Sequence, residues 1–330
     1  MDMKPGLSAA LAATYIFAFS SVGPAMAAPP ADWSKIPAKT VNMFYPGLST
    51  YEWLVSKEHK KGNTKVPEGV ACVKCHEDDE EEIGDAIVEG DHPLEPDPVE
   101  GKRGFFELAV RAAHDNDNLY LQFQWDSKSD GPARVAIMLD DGKVPNFAGQ
   151  GCWLTCHEGM KGTEEAALEE DVKANPFLGD AGLKKKEVHK YLAASRTDGK
   201  SWDKVKSAAD IAAIKKSGEF LDLMYWRMKD GKPQAKDSYV LEYRLDDAKA
   251  SKGDAGASTG SLKDGVYTVV VQRKLNTGHA VDDKILKIGG VYSVGFAIHD
   301  GKEQGRFHYT SFPEQLGIGT DGDISAVAVP

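Results

Sequence analysis

Several scarcities narrow the chemistry open to this 330-residue chain before any motif is read. Positive charge is in deficit: 40 Lys and Arg stand against 51 Asp and Glu, a formal net charge of −11 at pH 7. That balance argues against nucleic acid or an anionic membrane surface as partner and favours a protein with a basic patch. Long hydrophobic runs are also missing. Beyond Val22 no stretch approaches the roughly eighteen apolar residues of a membrane-spanning helix, so no membrane span is expected in the mature protein. No internal repeat is visible. No paired-carboxylate or Ser-His-Asp spacing stands out, so hydrolysis finds no support. Cysteine is scarce, with four in the whole chain.

All four cysteines lie in two short motifs. The first is Cys72-Val73-Lys74-Cys75-His76 and the second Cys152-Trp153-Leu154-Thr155-Cys156-His157, with one more residue in the spacer. Cys-X-X-Cys-His is the pattern of c-type haem attachment. Two thiols add to the two vinyl groups of one porphyrin, so they sit about one helical turn apart, and the adjacent His is the proximal iron ligand. With nine His in the chain, a His follows a given Cys by chance about 3% of the time and follows both pair-ending cysteines about 0.1%. Two disulfides or one tetrahedral zinc are the competing readings. Neither explains why a His directly follows each pair. The expectation is two covalently bound haem c groups with iron, held by Cys72 and Cys75 and by Cys152 and Cys156, with His76 and His157 as proximal ligands.

The N-terminus agrees with this reading. Lys4 precedes an apolar, small-residue run from Leu7 to Val22, and Ala25-Met26-Ala27 forms an A-x-A-like cleavage site. The expectation is a signal peptide over residues 1–27, cleavage near Ala27, and a periplasmic protein. Covalent haem attachment takes place on that same side of the bacterial inner membrane.

Along the chain, residues 28–104 read as a loop-rich segment carrying the first haem motif, with one helix near Ser49 to Lys60. Residues 105–330 alternate with period 2. Strands are expected over Phe106 to Ala112, Leu119 to Trp125, Arg134 to Leu139, Phe220 to Met228, Ser238 to Leu245, Gly265 to Arg273, Val291 to His299, Arg306 to Phe312 and Ile324 to Val329. Such short, turn-punctuated strands predict a mainly β protein, an antiparallel β-sandwich. The second haem loop and a helical insertion over about 158–217 interrupt it, with helices at Thr163 to Ala174, Leu183 to Ala194 and Ser207 to Lys216. Ala248 to Ser261 reads as a Gly/Ser/Ala-rich loop.

Three blocks carry a family resemblance: the hairpin Ala112-Ala113-His114-Asp115-Asn116-Asp117-Asn118-Leu119-Tyr120-Leu121, the run Gly151 to Met160, and the ending Gly290 to Asp300 with Ser311 to Gly319. Together with Phe44-Tyr45-Pro46-Gly47 and Trp53-Leu54, the chain resembles the ethylbenzene-dehydrogenase-related periplasmic cytochromes. Their domain is similar to the haem-binding γ subunit of dimethylsulfoxide-reductase-type molybdenum enzymes. The resemblance implies electron transfer and supplies no dehydrogenase active site. Those γ subunits hold a non-covalent b-type haem, commonly by Met and Lys. This chain has attachment cysteines and adjacent His instead, so that ligand pair is not carried over.

A haem with two protein ligands is usually a carrier and one with an open position binds small molecules. For the first haem, His59 on the expected helix is the candidate distal ligand, with His92 as competitor. For the second, His279 and His308 are the candidates and His299 a third. Met160 is too close in sequence to His157 to reach the opposite face, and His114 and His189 read as surface residues. The acidic run Glu77-Asp78-Asp79-Glu80-Glu81-Glu82 reads as a solvated loop. Beside a haem it would lower the potential and steer a basic redox partner protein to the haem edge. Trp125 and Trp226 fall in alternating strands and read as core, while Trp153 is expected to pack on the porphyrin. The functional expectation is a dihaem carrier. A small-molecule redox enzyme at a five-coordinate haem is one alternative, and a sugar- or ligand-binding sandwich with haem sensors is another.

Overall fold

The computed structural model describes residues 1, 28–47, 49, 51–55, 59–92, 97–129, 131, 133–155, 191–198, 204–229, 231–243, 258–301 and 308–330. The protein is mainly β. Among the described residues the strands are β1 Ala38–Phe44, β2 Phe105–His114, β3 Asn118–Asp126, β4 Arg134–Asp140, β5 Leu221–Lys229, β6 Lys232–Val240, β7 Thr259–Lys263, β8 Val266–Lys274, β9 Val291–His299, β10 His308–Thr310, β11 Glu314–Ile318 and β12 Ile324–Ala328. The helices are short: α1 Tyr51–Leu54, α2 Gly62–Lys65, α3 Glu80–Val88, α4 Phe147–Gln150 and α5 Ala208–Ser217. None is long and apolar enough to cross a membrane.

Six strands close into a ring, β9-β10-β1-β2-β12-β11 and back to β9. The ring is mixed because β12 runs parallel to both β2 and β11. Two wings extend from it: β4, β5 and β6 from β9, and β3, β8 and β7 from β2. The wings face each other across the core, where Gly260 of β7 lies against the Trp226 indole of β5. Two facing sheets were expected. The strands belong instead to one hydrogen-bonded sheet, because β12 pairs on both sides and joins what would have been two free edges.

Alternation explains the core. In β2, Phe106, Leu108, Val110 and Ala112 point inward with Trp125 and Trp226, which are 2% and 0% exposed. The β2–β3 hairpin forms as its Asp-Asn turn predicts. Asp115 Oδ1 accepts the Asp117 and Asn118 N–H groups at 2.8 and 2.6 Å, and Oδ2 accepts the Tyr120 hydroxyl at 2.6 Å. His114 is no surface turn residue: it ends β2 and is buried.

The N-terminal segment contributes β1, which pairs along its length with β2. Of the described residues in the expected helix over Ser49 to Lys60, Tyr51–Leu54 are helical, as α1. The His59 imidazole takes the Leu54 carbonyl at 2.8 Å, an acceptor that a continuing helix reserves for the N–H four residues on. The acidic run is loop only over Glu77, Asp78 and Asp79. Glu80, Glu81 and Glu82 form the first turn of α3, where the helix dipole favours carboxylates, and Ile87 behind them packs into the core. Part of the Gly/Ser-rich segment becomes β7, because Gly260 alone leaves room for Trp226: a Cβ there would stand 2.1 Å from the indole. The helix expected over Ser207 to Lys216 forms as α5, with Ser207 as its N-cap, while the helices expected over 163–174 and most of 183–194 lie outside the described residues.

Candidate functional site

The first motif is a single tight turn. The Cys75 and His76 N–H groups both donate to the Cys72 carbonyl, at 3.1 and 3.0 Å. The Cys72 thiol is half-buried, the Cys75 thiol exposed, and the two are not joined to each other. Burial pushes the Cys72 thiol up to about 11. A redox-active dithiol is favoured by the opposite shift, a lowered thiol pKa.

His59 comes to this turn from the other side of the N-terminal segment. Its ring lies 11° from parallel with that of His76, with centroids 6.0 Å apart. A metal bound between two imidazoles at about 2.0 Å from each nitrogen sets ring centres about 6 Å apart, so the pair fits an ion held on two sides. Each ring has its Nδ1 engaged. That of His59 bonds the Leu54 carbonyl at 2.8 Å, and that of His76 lies 3.4 Å from Asp79 Oδ2. A ligand His is usually oriented in this way, with Nε2 left for the metal. Burial lowers the His59 pKa and keeps the ring neutral, as ligation requires. Trp53 stacks on His59 at 5.1 Å, and the Gly62 backbone is so close that a Cβ would stand 2.0 Å from Nδ1. His92, the competitor, packs on Trp53 at 4.9 Å, and burial pushes its pKa down to about 4.

The second motif begins in a tight turn over Gly151–Thr155, and Cys152 and Trp153 are buried. Cys156 and His157 lie outside the described residues, as does Met160. The two motifs are neighbours in space. A Cβ on Gly149 would stand 2.9 Å from the Ala71 Cα, and Gln150 Nε2 donates to the Val66 carbonyl at 2.6 Å. Trp153 stacks on Phe44 at 5.4 Å and joins an apolar cluster that includes Trp53 and Cys72. The spacer tryptophan therefore lies in the same apolar cluster as Cys72 of the first motif.

Cys152 faces the outer side of β9, where a Cβ on Gly295 would stand 3.6 Å from its Sγ. Strand alternation puts Gly295, Ala297 and His299 on this face, beside Met138, Ala136 and Arg134 of β4. His308 pairs with His299 across β10 and β9, ring centroids 5.5 Å apart, about 13 Å along the strand from Gly295. The face therefore offers small residues beside Cys152, then two imidazoles. His279 stands elsewhere, in the turn whose Asp282 and Asp283 N–H groups donate to its carbonyl.

Asp79, Gly62 and Gly149 escaped the sequence reading. The three-residue step from His76 to Asp79 was a visible signal, but the two glycines matter only through close approaches made in the folded chain.

Comparison with known proteins bears on these motifs. A family described as ethylbenzene dehydrogenase matches residues 31–260 and 250–311. Cytochrome c-552 of Stutzerimonas stutzeri is 34% identical over 321 residues, which cover 94% of this chain and 95% of that protein. Cytochrome c-551 of Rhodocyclus tenuis is 30% identical over 305 residues, covering 89% of this chain and 98% of its own length.

Proposed function

The chain belongs to the ethylbenzene dehydrogenase family, and from that premise we propose that it is a periplasmic dihaem c-type cytochrome that relays electrons between redox proteins. The observation that carries the reading is the facing pair of His59 and His76 beside Cys72 and Cys75. Haem iron, when bound, supplies one-electron redox chemistry. Cys72 and Cys75 would anchor the first group, with His76 and His59 as the imidazoles offered to its iron. Cys152, Cys156 and His157 would hold the second, and His308 and His299 are further imidazoles on the β9 face that carries Gly295 and Ala297.

Every one of these residue roles suits a carrier. The Leu54 carbonyl orients the His59 imidazole and Asp79 lies beside that of His76, an arrangement that suits a ligation unchanged on reduction. Gly149 against Ala71 brings the two anchoring turns together, which shortens the electron path between them. Glu77, Asp78, Glu81 and Glu82 are exposed next to the first turn and present a negative rim to a basic partner. Export follows from the apolar N-terminal run and Ala25-Met26-Ala27. The names of the two relatives are those of cytochromes c, and a carrier role here agrees with them.

The test is the intact mass and ferric spectrum of the exported protein and of His59→Ala. The expected wild-type mass exceeds that of the polypeptide by about 1.2 kDa, two haem groups. His59→Ala is expected to keep that mass while about half of its iron turns high-spin and binds carbon monoxide. A mass gain of one haem removes the second centre from the proposal, and an unchanged low-spin spectrum in the variant removes His59.

A further inference from the structure

Away from both Cys-His motifs, three carboxylates from separate parts of the chain meet. Asp222 of β5, Asp237 of β6 and Asp283 of the β8–β9 loop each offer an oxygen, and these oxygens all lie within 4.8 Å of one another. Asp222 is 0% exposed and Asp283 2%. The basic groups nearby leave this cluster short of charge. Arg273 bonds Asp222 Oδ2 and also the Lys284 carbonyl. The Lys284 ammonium is turned to Asp140 at 3.0 Å, Asp141 at 2.5 Å and the Gly218 carbonyl at 2.7 Å. Among the described residues one guanidinium therefore remains for three carboxylates. A second observation is independent of the clustering. The Lys284 N–H joins Arg273 on Asp222 Oδ2, while the fully buried Oδ1 of the same carboxylate has no hydrogen-bond partner among the described residues. A buried acceptor of that kind calls for a proton, a water or a cation.

We propose that Asp222, Asp237 and Asp283 bind one calcium ion that ties β5 and β6 to the β8–β9 loop. The donors are all hard oxygens, which select calcium or magnesium over zinc or copper. Calcium holds oxygens at about 2.3–2.6 Å, so opposite donors stand up to about 5 Å apart; magnesium, at about 2.0–2.1 Å, allows only about 4.2 Å. The charge also closes, since three carboxylates balance one guanidinium and one divalent ion. Burial, with repulsion from Asp222, raises the carboxyl pKa of both Asp237 and Asp283, as crowded carboxylates without a cation require. The loop that the ion would fix is itself stitched to β11, by Gly289 N–H to the Ile318 carbonyl at 2.7 Å and Ile318 N–H to the Gly290 carbonyl at 2.9 Å.

The experiment uses the haem-loaded full chain, stripped with chelator and titrated with calcium chloride or magnesium chloride. Metal content and thermal unfolding are followed together. The expected result is one calcium per chain and a midpoint raised by about 5 °C at saturation, with a weaker response to magnesium. Asp237→Asn and Asp283→Asn are expected to fold with unchanged haem spectra and to lose the calcium response. No bound metal and no shift at about millimolar calcium overturn the proposal in favour of a shared proton. A response that persists in both variants overturns it too, by placing the ion elsewhere; calorimetric titration of the wild type keeps the test decisive if either variant fails to fold.

Discussion

Gly149 lies against Ala71, so close that one added methyl would stand 2.9 Å from the Ala71 Cα. Ala71 directly precedes Cys72 and Gly149 lies three positions before Cys152, about eighty positions further along the chain, and their contact helps to bring the two segments together. Backbone on both sides of the contact leaves little room for adjustment. Gly149→Val is therefore expected to cost about 1–3 kcal/mol of stability by overpacking and to slow electron exchange between the two centres. Chemical denaturation and flash-induced kinetics measure the two effects. Native values for both would mean that the turns are coupled by other residues.

Gly62 offers a test in which two physical effects have opposite signs. At the start of α2, helix propensity alone favours Ala over Gly by about 1 kcal/mol. The His59 ring, though, stands 2.0 Å from where the Ala Cβ would be, held there by the Leu54 carbonyl and Trp53. Gly62→Ala is expected to push His59 out of line with His76 and convert about half of the ferric low-spin signal to high-spin. Gain of stability with an unaltered spectrum would show that His59 is a packing residue.

Much of the architecture was legible because strand alternation is a local signal. β2, β3, β4, β8 and β9 fall where period-2 runs of Val, Ile, Leu and aromatics lie. What escaped depended on long-range partners. β11 and β12 pair parallel to close the ring, and β7 exists because Gly260 leaves space for Trp226. The acidic run misled because its charge hid the apolar spacing of Ile83, Ile87 and Val88. At the site, the motif residues were readable from adjacency alone. The meeting of His59 with His76 was guessed from chain length, but Asp79 and Leu54, which orient the two rings, emerge only from the fold.

Glu81 and Glu82 are exposed on the first turn of α3, just past the first motif. Exposed charges there add little to stability and act on encounter rates. Replacing both by Gln is expected to slow reduction by a basic donor protein about threefold at low ionic strength and to leave the thermal midpoint within about 1 °C. Stopped-flow rates across a salt series read this directly. A variant whose rate and salt slope match the wild type would return the acidic turn to plain solvation.

Glu314 opens β11, between Lys39 at 4.0 Å and the acidic side chains of Asp323 and Glu80. Burial, outweighing the pull of Lys39, pushes its carboxyl up to about 7. The folded state thus favours the neutral acid more than the unfolded chain does. Its contribution to stability is present below about pH 4.5 and is lost as pH rises toward 7. Glu314→Gln keeps the shape and removes the titration. The variant is expected to match the wild type near pH 4.5 and to exceed it by about 2 kcal/mol at pH 8, a figure discounted for the partly exposed side chain. Urea unfolding at several pH values measures the gap. A gap that stays constant with pH would show that Glu314 titrates alike in the folded and unfolded chain, with Lys39 offsetting its burial.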